Sequence, residues 1–168
     1  RGRMRDDRVF VVRSGPTLER LKQVPPVPAL RCGRRFLVGY VGVMGRQEGI
    51  DLLLEAVAHL VHRLGRTDVH FGLVGGGTSL EAMRQLAVDL GVAEYVTFTG
   101  RVDDARMLEM LNTADVCVNP DVANEMNDKS TMNKIMEYMA LGKPIVQYDL
   151  TEGRVSAGEA SLYAARND

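Results

Sequence analysis

The chain has 168 residues, of which 45% are hydrophobic, 26% are charged and two are cysteine, and its net charge is −1. These values fit one α/β domain with a full core, and the near-zero charge argues against a general nucleic-acid binder. Two cysteines do not make a disulfide framework, no apolar run approaches the roughly 20 residues of a membrane span, and no signal peptide is visible, so we expect a cytoplasmic chain.

Positive charge is concentrated at the start of the chain. Through Arg35 there are ten Arg and Lys residues against three Asp and Glu residues, or +7, which leaves −8 for the remainder. This asymmetry fits an interface or contact with an anionic membrane surface. The alternative, which we favour, is a solvated segment ahead of the core domain. Because the chain begins with Arg1 and its first predicted element is already a strand, we expect it to be part of a longer protein.

Strands and helices are predicted to alternate along the chain. Residues 9–13 form a short apolar run that predicts a strand, and residues 23–35 contain three prolines that predict an extended connection. Apolar runs predict further strands at 36–42, 69–74, 95–99, 115–118, 144–148 and 161–164. Apolar residues at helical spacing predict helices at 50–64, 80–90 and 105–112, and another that ends at Gly142.

This alternation predicts a doubly wound, Rossmann-like parallel sheet with right-handed crossovers. Ligands of such sheets bind beyond the carboxyl ends of the strands. Four glycine-rich or polar stretches follow predicted strands and would share that edge: residues 42–49, 75–77, 100–102 and 119–134. The sequence therefore places a candidate ligand site there.

The last of these stretches leads into a helix with two distinct predicted faces. Its apolar stripe consists of Met132, Ile135, Met136 and Met139. Its polar face consists of Ser130, Asn133, Lys134 and Glu137. Asp128 or Ser130 is the predicted N-cap, and Lys129 and Lys134 lie where free helix amides would bind a phosphate. The alternative is a solvated face with a Lys134–Glu137 pair, and the pattern favours neither.

The other candidate residues are less specific. Arg46, in a glycine loop without G-x-G-x-x-G or G-K-[ST] spacing, would reach a phosphate or would only be exposed in a tight turn. Gly75–Gly77 would approach a ligand or a neighbouring helix closely. Glu137 would accept hydrogen bonds from two sugar hydroxyls or would only lie on the surface. The three histidines form no ligand set, so no metal is expected.

Five segments, in this order and spacing, resemble the group 1 (family 4) glycosyltransferases of the GT-B fold. They are YVGVMGRQEG at 40–49, LVGGG at 73–77, VTFTG at 96–100, ADVCVNP at 114–120 and KIMEYMALGKPIV at 134–146. The resemblance implies that residues 1–168 are the donor-binding half of a two-domain enzyme whose acceptor-binding amino-terminal domain is absent from this chain.

Transfer of a sugar from a nucleoside diphosphate, with UDP expected, to a saccharide or lipid-linked acceptor follows from that resemblance. Retention at the anomeric carbon, no metal or other cofactor, and an isolated fragment without turnover are also implied. The resemblance further suggests bacterial surface-polysaccharide synthesis, in the cytoplasm or peripherally at the inner membrane face.

The resemblance also assigns roles to residues. Glu137 matches the second glutamate of the family's Glu-x7-Glu motif, which is expected to bind the ribose hydroxyls. The first glutamate falls on Lys129, with Asp128 beside it as a substitute, so these two residues are the expected catalytic positions. The family's Arg and Lys in the first glycine loop fall on Val43 and Glu48, and both are therefore missing.

Other residues must then hold the nucleotide and its phosphates. The expected donor-binding set is Gly42, Arg46, Gly75, Gly76, Gly77, Arg101, Val102, Ser130, Thr131, Asn133, Lys134 and Glu137. Lys129 is a further candidate for the phosphate, and the backbone at Arg101 and Val102 matches the loop that meets the base. We favour a subfamily with a rearranged phosphate clamp. A non-catalytic nucleotide-binding or interaction module with a degenerate site, or a GT-B nucleotide-sugar epimerase, stays open. A nicotinamide-binding domain fits the sheet but not the glycine spacing.

Overall fold

A computed structural model describes residues 4–166 of the chain. Within that range, six parallel strands form one sheet in the order β3-β2-β1-β4-β5-β6. The strands are β1 (Phe36–Val41), β2 (Val69–Val74), β3 (Val96–Gly100), β4 (Val116–Asn119), β5 (Ile145–Tyr148) and β6 (Ser161–Ala164). The predicted doubly wound α/β sheet is therefore confirmed.

Helices cover both faces of the sheet. They are α1 (Ile50–Ala58), α2 (Leu80–Asp89), α3 (Asp104–Thr113), α4 (Glu125–Asp128), α5 (Asn133–Ala140) and α6 (Thr151–Ala157). Helices α1 and α2 pack on a core that includes Tyr40 and Leu73. Helices α3, α5 and α6 pack on the opposite core, which includes Leu37 and Cys117. This division follows from the alternation of side chains along each strand. No helix in the range 4–166 is long and apolar enough to cross a membrane.

The predicted strand at residues 9–13 is wrong. That segment pairs with no strand in the described part of the chain, and its apolar side chains lie exposed, with Val12 90% accessible. An apolar run has the composition of a strand, but a strand also needs a partner edge for its backbone hydrogen bonds. The proline-rich connection is better tied to the domain, because Leu30 is buried and the backbone amide of Val27 donates to Thr113 Oγ1 at 2.8 Å.

Helix α6 was not predicted, because the third of its seven residues is a glycine, which weakens helices. A Cβ atom at Gly153 would lie 2.6 Å from Oε1 of Gln147, so the glycine lets this side chain pack closely against the helix. The preceding helix α5 begins later than predicted. Its N-cap is Met132, which makes no side-chain capping bond, so the predicted caps Asp128 and Ser130 are wrong.

The buried face of α5 also differs from the predicted apolar stripe. Lys134, Ile135 and Tyr138 are the buried residues of this helix. The three methionines of the stripe are only partly buried: Met132, Met136 and Met139. The alternative that placed Lys134 on a solvated face is therefore wrong, because the helix is turned so that this lysine enters the protein interior.

The strand order reverses between β1 and β4, which is the point where doubly wound sheets bind ligands. The loops that follow these two strands are joined there. The amide of Val122 donates to the carbonyl of Gln47 at 3.0 Å, and Nδ2 of the buried Asn127 donates to the same carbonyl at 2.9 Å. The loops after β1 and β4 therefore form one continuous surface, which is the candidate site.

Candidate functional site

The glycine loops at residues 42–49 and 75–77 are packed directly against each other at the carboxyl edge of the sheet. The amide of Gly42 donates to the carbonyl of Val74, and the amide of Met44 to that of Gly76, both at 3.0 Å. A Cβ atom at Gly75, where φ is +132°, would lie 1.8 Å from the carbonyl oxygen of Gly42. The predicted close approach of these glycines is therefore to a neighbouring loop.

The middle residue of the triple glycine has more room than its neighbours. A Cβ atom at Gly77 would lie 2.4 Å from the carbonyl oxygen of Met44, whereas the nearest atom to a Cβ at Gly76 would be the amide nitrogen of Arg101 at 3.7 Å. Packing thus explains why Gly75 and Gly77 are glycines, and it leaves Gly76 open to a ligand.

Lys134 lies inside a buried cluster of charges at the switch point. Its Nζ donates to Oε2 of Glu48 at 2.7 Å and to Oδ1 of Asp121 at 2.8 Å, and it lies 5.1 Å from the centre of the Tyr40 ring. Only 9% of the lysine side chain is exposed. The alternative Lys134–Glu137 pair is therefore wrong, and the ammonium is balanced by carboxylates on two loops. Phosphate binding by Lys134 stays a prediction.

Burial changes the acidity of this cluster. It raises the pKa of Asp121 to about 6, against the opposing effect of the Lys134 ammonium, and the Glu48 carboxyl raises it further. Oδ2 of Asp121 is buried and has no hydrogen-bond partner within residues 4–166. The Tyr40 hydroxyl lies 3.1 Å from Oε2 of Glu48, to which it donates, and burial raises its pKa also.

Sequence reasoning did not assign Asp121 or Tyr40 to the site. Asp121 stands directly after the Asn119-Pro120 pair that closes β4, and an acidic residue at the end of a switch-point strand was the available signal. Tyr40 lies in the apolar run of β1 and carried no comparable signal. Gly42 leaves space for the side chains of Tyr40 and Lys134, because a Cβ atom at this position would lie 2.4 Å from the Tyr40 hydroxyl and 3.4 Å from Cε of Lys134.

The two expected catalytic residues have separate contacts. The Asp128 carboxylate accepts hydrogen bonds from the backbone amide and the hydroxyl of Thr151, each at 2.9 Å, and from Arg166 at 3.0 Å. Those bonds, the Thr151 amide first, lower the pKa of Asp128. Lys129 is exposed and pairs with Glu125 at 2.6 Å. Asp128 thus caps α6 instead of α5, and no hydrogen bond within residues 4–166 links either residue to Lys134.

The expected phosphate ligands at the start of α5 are partly engaged. The Ser130 amide donates to the carbonyl of Asn127 at 3.2 Å, so it is not the free amide that the sequence suggested. The Thr131 hydroxyl donates to Glu152 at 3.2 Å, and Asn133 accepts a bond from Ser14 at 3.2 Å. The helix start is therefore covered in part by α6 and by the first segment of the chain.

Glu137 is a half-buried carboxylate without a hydrogen-bond donor in the described chain. Burial raises the pKa of its carboxyl, while the Arg20 guanidinium opposes that effect. Two arginines at the same edge, Arg46 and Arg101, are exposed and make no ion pair within residues 4–166. Arg46 lines a concavity together with Ser79 and Met83. Val102, next to Arg101, is partly buried against the α3 core.

Comparison with known proteins identifies a family. The family model described as "Glycosyl transferases group 1" matches residues 35–168. Alpha-D-kanosaminyltransferase of Streptomyces kanamyceticus is 28% identical over 116 residues, which are 69% of this chain and 28% of that protein. The GDP-mannose-dependent alpha-(1-6)-phosphatidylinositol monomannoside mannosyltransferase of Mycolicibacterium smegmatis is 36% identical over 88 residues, which are 52% of this chain and 22% of that protein.

A solved structure shares the fold. The Anabaena protein HepE, crystallised in complex with UDP and glucose, superposes with a TM-score of 0.66 at 20% identity, over 84% of this chain and 38% of that chain. The chain spans about a quarter of the length of the two curated relatives, with 28% and 22% covered.

Proposed function

Because the chain belongs to the group 1 glycosyl transferases, we propose that it is the donor-binding domain of a glycosyltransferase. The reaction would transfer a sugar from a nucleoside diphosphate to a saccharide or lipid-linked acceptor, with retention at the anomeric carbon and without a metal or other cofactor. A further domain of the whole protein would hold the acceptor, at the cytoplasmic face of a bacterial membrane.

The observation that carries the proposal is Glu137, a half-buried carboxylate that accepts no hydrogen bond within residues 4–166 and lies on α5, the helix that follows the switch-point strand β4. A carboxylate there has lost part of its hydration and gains no internal donor in return, which costs free energy. A ligand with two adjacent hydroxyls, such as a ribose, would supply the missing donors to its two oxygens.

The charge of the diphosphate would be met by Arg46 and Arg101, which make no ion pair within residues 4–166. Arg46 follows β1 and Arg101 follows β3, and a guanidinium binds phosphate oxygens with two parallel hydrogen bonds. The backbone at Gly76 would approach the same ligand, and the Lys134 ammonium beside Gly42 would reach a phosphate oxygen by giving up part of its pairing with Glu48 and Asp121. Preorganised cations of this kind stabilise the diphosphate as it leaves the sugar.

UDP is the proposed nucleotide. The fold shared with HepE, which was solved with UDP and glucose, supports it. The mannosyltransferase relative is named as GDP-mannose-dependent, so GDP is the necessary comparison in any binding experiment.

A second candidate function is a non-catalytic nucleotide-binding or interaction module. It is favoured by the engagement of two expected site residues within the protein. The Asp128 carboxylate caps α6, and the Lys134 ammonium is neutralised by Glu48 and Asp121. This candidate predicts no saturable binding of UDP or of any UDP-sugar.

Calorimetric titration of the chain with UDP, with GDP and NAD as comparisons, tests the proposal. We expect saturable UDP binding that weakens by roughly tenfold or more in Glu137→Ala, because about 1.5–3 kcal/mol of charged hydrogen bonding is lost. Glu159→Ala is the matched control, since Glu159 is exposed and makes no ion pair within residues 4–166. Unchanged affinity in Glu137→Ala would count against the assignment.

A further inference from the structure

We infer that Asp121 is a positioning residue for Lys134, and that binding of a nucleotide-sugar diphosphate at this lysine is coupled to uptake of a proton by Asp121. The inference rests on the proposed function. It adds a residue that sequence reasoning did not assign and a chemical consequence that a purely structural aspartate would not have.

The Asp121 carboxyl is buried at the switch point, where it contacts Lys134. The residue follows β4 at the switch point and is only 1% exposed. One carboxylate oxygen accepts from Lys134 Nζ at 2.8 Å, and the other is buried without a partner in the described range. A fully ionised carboxylate would leave that second oxygen unsatisfied, which is costly in the interior. A protonated carboxyl instead carries less charge to be buried and can donate to the neighbouring Glu48 carboxylate.

The charged groups packed around Asp121 do not balance one another. The groups that face it are Glu48 from the loop after β1, Lys134 from α5, Tyr40 from β1 and Tyr138 from α5. The pKa of each tyrosine is raised by burial, so both are neutral near pH 7. Two carboxyl groups therefore share one ammonium, and the cluster carries an excess negative charge when both are ionised.

An anionic ligand at Lys134 would change the protonation of Asp121. The Lys134 ammonium is the group that opposes the burial-driven rise in the pKa of Asp121. A phosphate that takes a share of this ammonium weakens that opposition and brings further negative charge. Both changes favour the protonated form of Asp121. Proton uptake removes the excess negative charge, so the diphosphate and the carboxyl no longer compete for Lys134.

Proton uptake by Asp121 makes the affinity for the diphosphate depend on pH in one direction. Above the free-state pKa of Asp121, about 6, the ligand-free carboxyl is mostly ionised and the bound one more protonated. Affinity for the diphosphate therefore rises as the pH falls from about 8 toward about 6. UDP-glucose is the suitable probe, because its diphosphate is esterified at both ends and keeps a constant charge in this range.

The test is calorimetric titration with UDP-glucose at pH 7 in two phosphate-free buffers of different ionisation enthalpy, PIPES and Tris. The difference in apparent binding enthalpy gives the number of protons taken up. We expect about half a proton or more per ligand bound. Asp121→Asn, which keeps an oxygen for Lys134 but cannot titrate, should reduce the uptake to near zero. Glu159→Gln should leave it unchanged.

Each outcome is decisive. Saturable binding without proton uptake in the unmodified chain, or unchanged uptake in Asp121→Asn, would overturn the inference and leave the proposed function standing. No saturable binding of UDP-glucose or UDP would overturn both. Should Asp121→Asn fail to fold, Glu48→Gln replaces it. That variant relieves the competition for Lys134, so uptake should fall, and unchanged uptake would contradict the inference.

Discussion

The hydroxyl of Tyr138 accepts a hydrogen bond from the backbone amide of Val41 at 3.0 Å. It also donates to the carbonyl of Val118 at 3.2 Å, so one side chain of α5 joins the ends of β1 and β4. Those two strands pair directly only at Val38–Val116 and Gly39–Cys117. The tyrosine therefore bridges the opening between the strands at the switch point, and it fixes α5 and its site residues to the sheet.

Replacing Tyr138 with Phe should lower the free energy of unfolding by about 1–3 kcal/mol, because a buried amide and a buried carbonyl lose their partner. Urea unfolding followed by circular dichroism measures the change. Tyr95→Phe is the control, since Tyr95 is buried and its hydroxyl makes no hydrogen bond within residues 4–166. Equal stability losses in the two variants would show that the bridge contributes nothing specific.

The triple glycine should divide into two kinds of position. Gly75→Ala should destabilise the chain by about 3 kcal/mol or more, since its backbone has φ of +132° and its Cβ would overlap the carbonyl of Gly42. Gly76→Ala should fold with nearly unchanged stability, because its Cβ has room. Thermal unfolding of both variants tests this. Similar melting temperatures for the two would contradict the packing argument.

Asp128 should contribute stability in a pH-dependent way. Hydrogen bonds from Thr151 lower the pKa of its carboxyl in the folded state. The contribution is therefore complete above the unfolded-state pKa and is lost as the pH falls through the lower, folded-state pKa. The urea midpoint of Asp128→Ala should lie below that of the unmodified chain at pH 7, and the gap should narrow near pH 3. A gap that is constant with pH would exclude the ionised cap.

Asp121 should show the opposite dependence. Burial raises the pKa of its carboxyl to about 6, above the ordinary value of about 3.9. Its contribution is therefore present at low pH and is lost as the pH rises through about 6. Relative to Asp121→Asn, the unmodified chain should lose about 2 kcal/mol of stability between pH 4 and pH 7. Urea unfolding at both pH values measures this, and parallel pH profiles would contradict it.

Most of the framework was readable from local patterns. Strand β6 was predicted with its observed bounds, Ser161–Ala164, because a short apolar run between turns has few other solutions. Helix α5 ends at Ala140, just before the predicted stop at Gly142, where φ is +67°, a conformation that glycine adopts without strain. Helix α6 escaped prediction because Gly153 lowers its intrinsic helix propensity, and its packing against Gln147 is not visible in local sequence.

The sequence by itself determined the doubly wound sheet and the edge of the candidate site, because these depend on periodicities within short stretches, and the resemblance of five motifs indicated the family. Only the tertiary structure decided which charges remain available at that edge. Lys134 meets Glu48 across 86 residues of chain, and Asp128 meets Thr151 across 23. Such pairings depend on how the elements are turned and stacked in space. Lys134, which the helical pattern places on the polar face of α5, is therefore a buried cation between two carboxyl groups.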